Sequence, residues 1–208
     1  MDEIPASVPI IAAMIGAGAA LLGTALSFGR DWFVQRLKDG EQRTFVAIRL
    51  AAELEDFATR CALAGSDHGE PQVQSHGQEV YVPRYSTPEF RIDYSGYEWR
   101  LVPKDLLQRI LEMPFLVSRA HAYLEEVNEF VAGPPDYAEF YSERSLKFGR
   151  LGAAALRLAE DLRVRHGVAS GISSIDPEDS YDLESHLNEI ISDVLKSKHA
   201  AGIVLADS

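Results

Sequence analysis

The sequence predicts an all-α protein in which an N-terminal transmembrane helix continues into a cytoplasmic, four-helix bundle-like domain with one long aromatic-rich loop. Three observations carry this. No residue from Ile4 to Gly29 is charged, apolar residues recur four and three apart over several later stretches, and the segment 65–102 keeps no such period. The organisation that follows is an extracytoplasmic tail over 1–7, a span over 8–28, a helical domain over 29–199 and a tail over 200–208.

A helix needs roughly 20 apolar residues to cross a hydrocarbon core of ~30 Å, and Val8 to Phe28 meets that length. Pro5 and Pro9 fall at its entry, where a missing backbone donor costs little, and no proline follows inside it. Asp2 and Glu3 stand where a cleaved signal peptide would be basic. Arg30, Arg36 and Lys38 follow the span and Trp32 sits at interface depth, so the positive-inside rule predicts a single-pass protein, N-terminus out and domain in the cytoplasm. Ala12, Gly16 and Ala20, with a second row at Ala19 and Gly23, give small-residue faces on which such helices associate, and so a route to a homo-oligomer. Gly16, Gly18 and Gly23 do not make a nucleotide loop, because Leu21 occupies the third glycine position and no strand precedes it.

Without the span roughly 170 residues remain, enough for one compact core. Apolar content of 46% and charged content of 25% exclude wholesale disorder. The formal charge of −12 argues against nucleic acid as a partner, since phosphate recognition needs clustered Lys and Arg. Cys61 is the one cysteine, so no intramolecular disulfide forms, and it shares a helical stripe with Val46, Leu50, Leu54 and Phe57, which marks it as a core residue.

That stripe makes the first helix of the domain, ending near Leu63. A second stripe runs from Leu106 through Ile110, Met113, Val117, Ala120, Leu124 and Val127 to Val131, straight past Pro114, and predicts one kinked helix. Gly133 to Asp136 ends it, and Asp136 is placed to cap a third helix built on Phe148, Leu151, Ala155, Leu158 and Leu162, the antiparallel neighbour of the second. Arg163, Arg165 and His166 before Gly167 suit a helix C-terminus. Asp176-Pro177 opens a final helix carrying Leu183, Leu187, Ile190 and Val194. Within the loop, Glu79–Val82 is read as pairing with residues 90–92 in a short hairpin.

Catalytic templates are not met. The histidines lack the spacing of a metal-binding helix, and Glu125, Glu126 and Glu129 read as a solvated face. Arg144, Lys147 and Arg150, three apart, read as an exposed basic stripe. The expected cofactor and metal content is therefore nil. Tyr81, Tyr85, Phe90, Tyr94, Tyr97 and Trp99 are the candidate partner-binding residues, because aromatics in loops give contact area at low rotamer cost; the competing reading makes them a lid packed on the helices, with Trp99 buried.

Four short runs carry a resemblance: Arg30-Asp31-Trp32 after the span, Glu55-Asp56-Phe57-Ala58 with Cys61, Trp99-x-x-Val102-Pro103, and Leu158 to Arg163 leading into His166-Gly167. On these the chain resembles a group of uncharacterised bacterial single-span membrane proteins. The resemblance implies the same architecture and a bacterial inner membrane, and transfers no activity and no site residue. The resulting expectation is a membrane-anchored helical interaction or scaffold protein with the bilayer and a further protein as partners. The alternatives are a membrane-associated enzyme acting on a lipid or small molecule, and a phage-type membrane effector.

Overall fold

The computed structural model describes residues 36, 40–73, 77, 79–134, 137–169 and 182–202. By its contacts the chain divides into Met1–Arg43 and Thr44–Ser208. Of the first unit only Arg36 and residues 40–43 are described, all helical and exposed. The predicted span Val8 to Phe28, with Ala12, Gly16, Ala20, Gly23, Arg30, Trp32 and Lys38, lies outside the described residues, and among those described no helix is long and apolar enough to cross a membrane.

The second unit is mostly helical. Its residues 44–65 are helical and form α1, followed by β1 (Glu70–Val73), β2 (Glu79–Val82), two short 3-10 turns (Tyr94–Gly96 and Trp99–Leu101), α2 (Lys104–Phe130), α3 (Ala138–Arg165) and α4 (Leu183–Ala200). Every stripe residue named for α1 is buried, Cys61 fully so. The stripe of α2 is buried from Leu106 through Val127, and that of α3 from Phe148 through Leu162. Together they form one apolar core, joined by Phe90, Ile92, Tyr97, Leu101 and Val102 from the loop.

Helix α3 is the centre of the packing. Its contacts with α2 pair early residues with late ones: Arg165 with Asp105, Arg109 with Asp161, and Phe148 against the His121 ring, so the two run antiparallel. The same logic holds for α4, where Glu143 meets Lys198 while Gly152 meets Leu187, and for α1, where Arg163 meets Glu55 while Arg144 meets Asp67. On the α4 side the approach is close. A Cβ added to Gly152 would lie 2.8 Å from Leu187 Cδ2 and 2.9 Å from the Cβ of Cys61, so a glycine lets α1 and α4 come near α3 together.

Several expectations are corrected here. The hairpin joins β2 to β1, with Glu70 opposite Val82 and Val73 opposite Glu79, and not to residues 90–92. Phe90 and Ile92 are drawn into the core instead, the Phe90 ring meeting Phe57 edge-on at 5.0 Å, and burial of two apolar side chains outweighs a few ladder bonds. Helix α2 continues through Pro114 but closes at Phe130, one residue before the end of the expected stripe. Val131, placed on the core stripe by its spacing, is the capping residue and 61% exposed, because its amide and that of Ala132 both turn back to Val127 O.

The residue that caps α3 is Tyr137, with φ of 51°; Asp136 lies outside the described residues. At the other end Gly167 takes φ of 63°, and Val168 N donates to Arg163 O while Gly167 N donates to Val164 O, the paired bonds that close a helix on a left-handed glycine. Helix α4 begins at Leu183, where Asp182 accepts from Glu184 N and from Ser185 Oγ; Asp176-Pro177 also lies outside the described residues.

Candidate functional site

The loop between α1 and α2 is held at its base by a buried ion pair. Asp67 stands two residues past the end of α1, and its Oδ1 accepts from Gly69 N while its Oδ2 accepts from Tyr85 N and from Arg144 Nη1 at 3.0 Å. Arg144 also donates from Nη2 to Tyr85 O at 2.7 Å, and its residue is only 1% exposed. Burial pushes the Asp67 carboxyl upward, but the Tyr85 and Gly69 amides and the Arg144 guanidinium outweigh it, and its pKa ends below the usual carboxylate range. Gly69 has φ of 79°, and a Cβ on it would lie 2.3 Å from the Tyr141 hydroxyl, so both backbone and space require glycine there. The Tyr141 hydroxyl, Ser145 Oγ and Arg144 Nε are buried with no hydrogen-bond partner among the described residues.

This corrects the expected basic stripe of Arg144, Lys147 and Arg150. Arg144 points into the protein, Arg150 is exposed, and Lys147 lies over the Tyr123 ring at 4.2 Å. A signal was present: Arg144 stands four residues before Phe148 and seven before Leu151, in line with the apolar stripe of α3. The basic end of α3 is likewise consumed by pairing. Arg163 donates from Nε and Nη2 to the two carboxylate oxygens of Glu55, at 2.8 and 2.9 Å, and Arg165 grips Asp105. Glu125, Glu126 and Glu129 are exposed, as a solvated face requires.

The six candidate aromatics separate into different roles. Phe90 and Tyr97 are core residues, Tyr81 and Trp99 are half-buried, and Tyr85 and Tyr94 show the most surface, Tyr94 at 49%. Tyr97 donates its hydroxyl to Glu53, while the Arg49 guanidinium stacks 4.6 Å above its ring and donates to Gly96 O. Burial and the Glu53 carboxylate push the Tyr97 phenol up. Trp99 donates from its indole nitrogen to Tyr94 O, with ring centroids 5.7 Å from Tyr94 and 5.2 Å from Tyr97. These three aromatics and Arg49 thus form one stacked group beside α1, partly lid and partly surface.

A surface cleft of about 380 Å³ lies between Arg60 and Leu63 of α1 and the stretch from Tyr85 to Arg91. The Asp67–Arg144 pair sets its position by fixing both backbone groups of Tyr85, and the His121 ring holds Pro88 O at 2.9 Å. Arg60 donates to Glu89 O and pairs with Asp56, and Arg91 pairs with Glu89. Ser86 and Thr87 contribute hydroxyls. The arrangement suits hydrogen bonding to a small polar molecule and assembles no nucleophile with an adjacent base. Among the described residues no group of three His, Cys, Asp or Glu side chains is placed to hold a metal ion.

Burial pushes the Cys61 thiol far up, which removes it as a nucleophile at neutral pH. The sequence missed Asp67 and Glu55 as partners of the α3 arginines, since neither pairing is local in the chain. No protein-family model, curated protein or solved structure matches this chain.

Proposed function

We propose that this is a membrane-anchored helical protein whose folded domain presents a surface to a protein partner. One observation carries the reading: the buried ionic groups serve as ties between elements. Asp67 with Arg144, and Glu55 with Arg163, each join α1 or the loop after it to α3. Large apolar side chains are meanwhile left outside, Tyr94, Phe115 and Phe130 among them. Exposed aromatic side chains supply contact area to a partner at low rotamer cost. The uncharged run from Val8 to Phe28, with Arg30, Arg36 and Lys38 after it, supports the anchor and the cytoplasmic placement of the domain.

Fractionation of the full chain beside a variant lacking residues 1–29 tests the anchor. The full chain is expected to stay with membranes after alkaline washing and the variant to be released with unchanged helical circular dichroism; release of both defeats the anchor. In-cell crosslinking through a photoreactive residue at Tyr94 tests the partner. A discrete adduct, lost when Trp99 is changed to Ala, is expected, and no adduct from either form counts against the interaction.

A second reading, binding or conversion of a small polar molecule, draws on the cleft between Arg60 and Arg91. Its volume lies in the range of ligand sites, although it is open and its arginines already face carboxylates. Ligand-dependent protection of the 85–91 amides from hydrogen exchange would favour it over the scaffold reading.

A further inference from the structure

The outward face of α2 carries a pattern that neither the core nor the loop uses. Leu111 and Phe115 stand one turn apart, 47% and 63% exposed, on the side of the helix opposite the buried stripe of Ile110, Met113 and Val117. Ser118 and Ala122 continue the same line with alternating steps of three and four residues, and both are exposed. The line extends to Lys104 and Gln108 at one end and to Glu125 and Glu129 at the other, all four exposed. Alternating steps of four and three over this length keep one seam facing one partner helix.

The order of residue types along the seam is antisymmetric about a point between Leu116 and Val117. Turned end for end against itself about that point, the seam sets Leu111 against Ala122 and Phe115 against Ser118, so a large side chain meets a small one at each central step. Lys104 then falls opposite Glu129, and Gln108 opposite Glu125. A parallel pairing would set Phe115 on Phe115 and the carboxylates of Glu125 and Glu129 on their own copies, where like charges repel.

We propose that the outer face of α2 pairs antiparallel with the same face of a second copy of this chain. Small residues at Ser118 and Ala122 let two helices approach to the near end of the usual range of about 8–10 Å, and Leu111 and Phe115 fill the space beside them. The interface is isologous, as a two-fold pair requires. One helix face buries less than the roughly 800 Å² per partner of a standard interface, so the pairing is weak in dilute solution and is strengthened by whatever concentrates the chain. It stands on described residues of α2 and does not rest on the membrane reading.

Disulfide trapping of the full chain in detergent or in bilayer nanodiscs tests it, with the buried Cys61 silent. The 1.5 Å rise per residue puts position 118 about 5 Å along the axis from its own copy in the antiparallel pair, and position 129 about 38 Å from its own. Under mild oxidation Ser118→Cys is expected to form covalent dimers and Glu129→Cys alone to form none. A mixture of Lys104→Cys and Glu129→Cys chains is expected to cross-link.

Phe115→Asp in the Ser118→Cys background is expected to reduce the dimer at least tenfold with helical circular dichroism retained, and Leu111→Asp serves as the second variant should the first lose its fold. Absence of a dimer at Ser118→Cys, a Glu129→Cys dimer of equal yield, no cross-link in the mixture, or trapping unchanged by either Asp variant overturns the proposal. Association through the segment 8–28 alone would leave trapping indifferent to Phe115 and Leu111, which separates it from pairing on α2.

Discussion

The seam between α2 and α3 and the loop between α1 and α2 both send side chains into the same core, yet they are held by different forces. In the seam, apolar side chains from Leu106 to Leu124 meet those from Phe148 to Leu162, and charge appears at exposed positions such as Arg109 with Asp161. In the loop, Phe90, Ile92 and Tyr97 supply apolar area, but position is fixed by ionic and polar bonds: Asp67 with Arg144 and Tyr85, Glu53 with Tyr97, Arg60 with Glu89 O. An apolar seam loses stability in proportion to the volume removed, whereas a buried ion pair fails abruptly because the partner left behind is a charge without compensation. The loop should therefore break at single atoms and the seam should weaken by degrees.

The largest effect tests that contrast at Arg144. Arg144→Ala is expected to cost about 3–5 kcal/mol, the range for removing one member of a buried pair, with hydrogen-exchange protection lost first over residues 66–90. Arg144→Met should recover part of the stability and none of the protection at Tyr85; equal protection in both variants would mean that packing and not the ion pair holds the loop.

In the seam, Leu158→Ala is expected to cost about 2–5 kcal/mol by chemical denaturation, with the loop still protected until global unfolding. Selective loss of protection at Tyr85 in that variant would erase the distinction between the two regions.

Gly152→Ala probes a third mode, in which helices are held by closeness. The added methyl meets Leu187, Cys61 Cβ and, at 3.3 Å, Ala58 O, so α4 or α1 must retreat. A loss of about 1–3 kcal/mol is expected, accompanied by faster exchange in α4. No loss would show that the helix ends give way freely.

The smallest effect comes from pH. Asp67 has a folded pKa below its unfolded value near 3.9, so the stability it contributes is complete above about pH 4 and disappears as pH falls through the depressed folded value. Wild type is expected to lose more stability than Asp67→Asn between about pH 5 and pH 2, the two curves converging at the acid end. Parallel curves would remove Asp67 from the account of acid sensitivity.

Periodicity alone made the helical part of this protein legible. Leu50, Leu54, Phe57 and Cys61, or Ile110, Met113 and Val117, recur at the pitch of a helix, and an apolar stripe has to be buried somewhere whatever its partner is. The uncharged run from Val8 to Phe28 is a property of the sequence alone, and the proposal of an anchor rests on its length and polarity.

The site around Tyr85 was decided by the tertiary structure. Asp67 and Arg144 are 77 residues apart, and Glu55 and Arg163 are 108 apart, so their attraction leaves no local trace in the chain. The strand partner of Glu79–Val82 was likewise settled elsewhere, when the core took Phe90 and Ile92. A stripe states that a face will be covered; which charge meets which, and which loop residues go inside, depends on distances that exist only after the helices have packed.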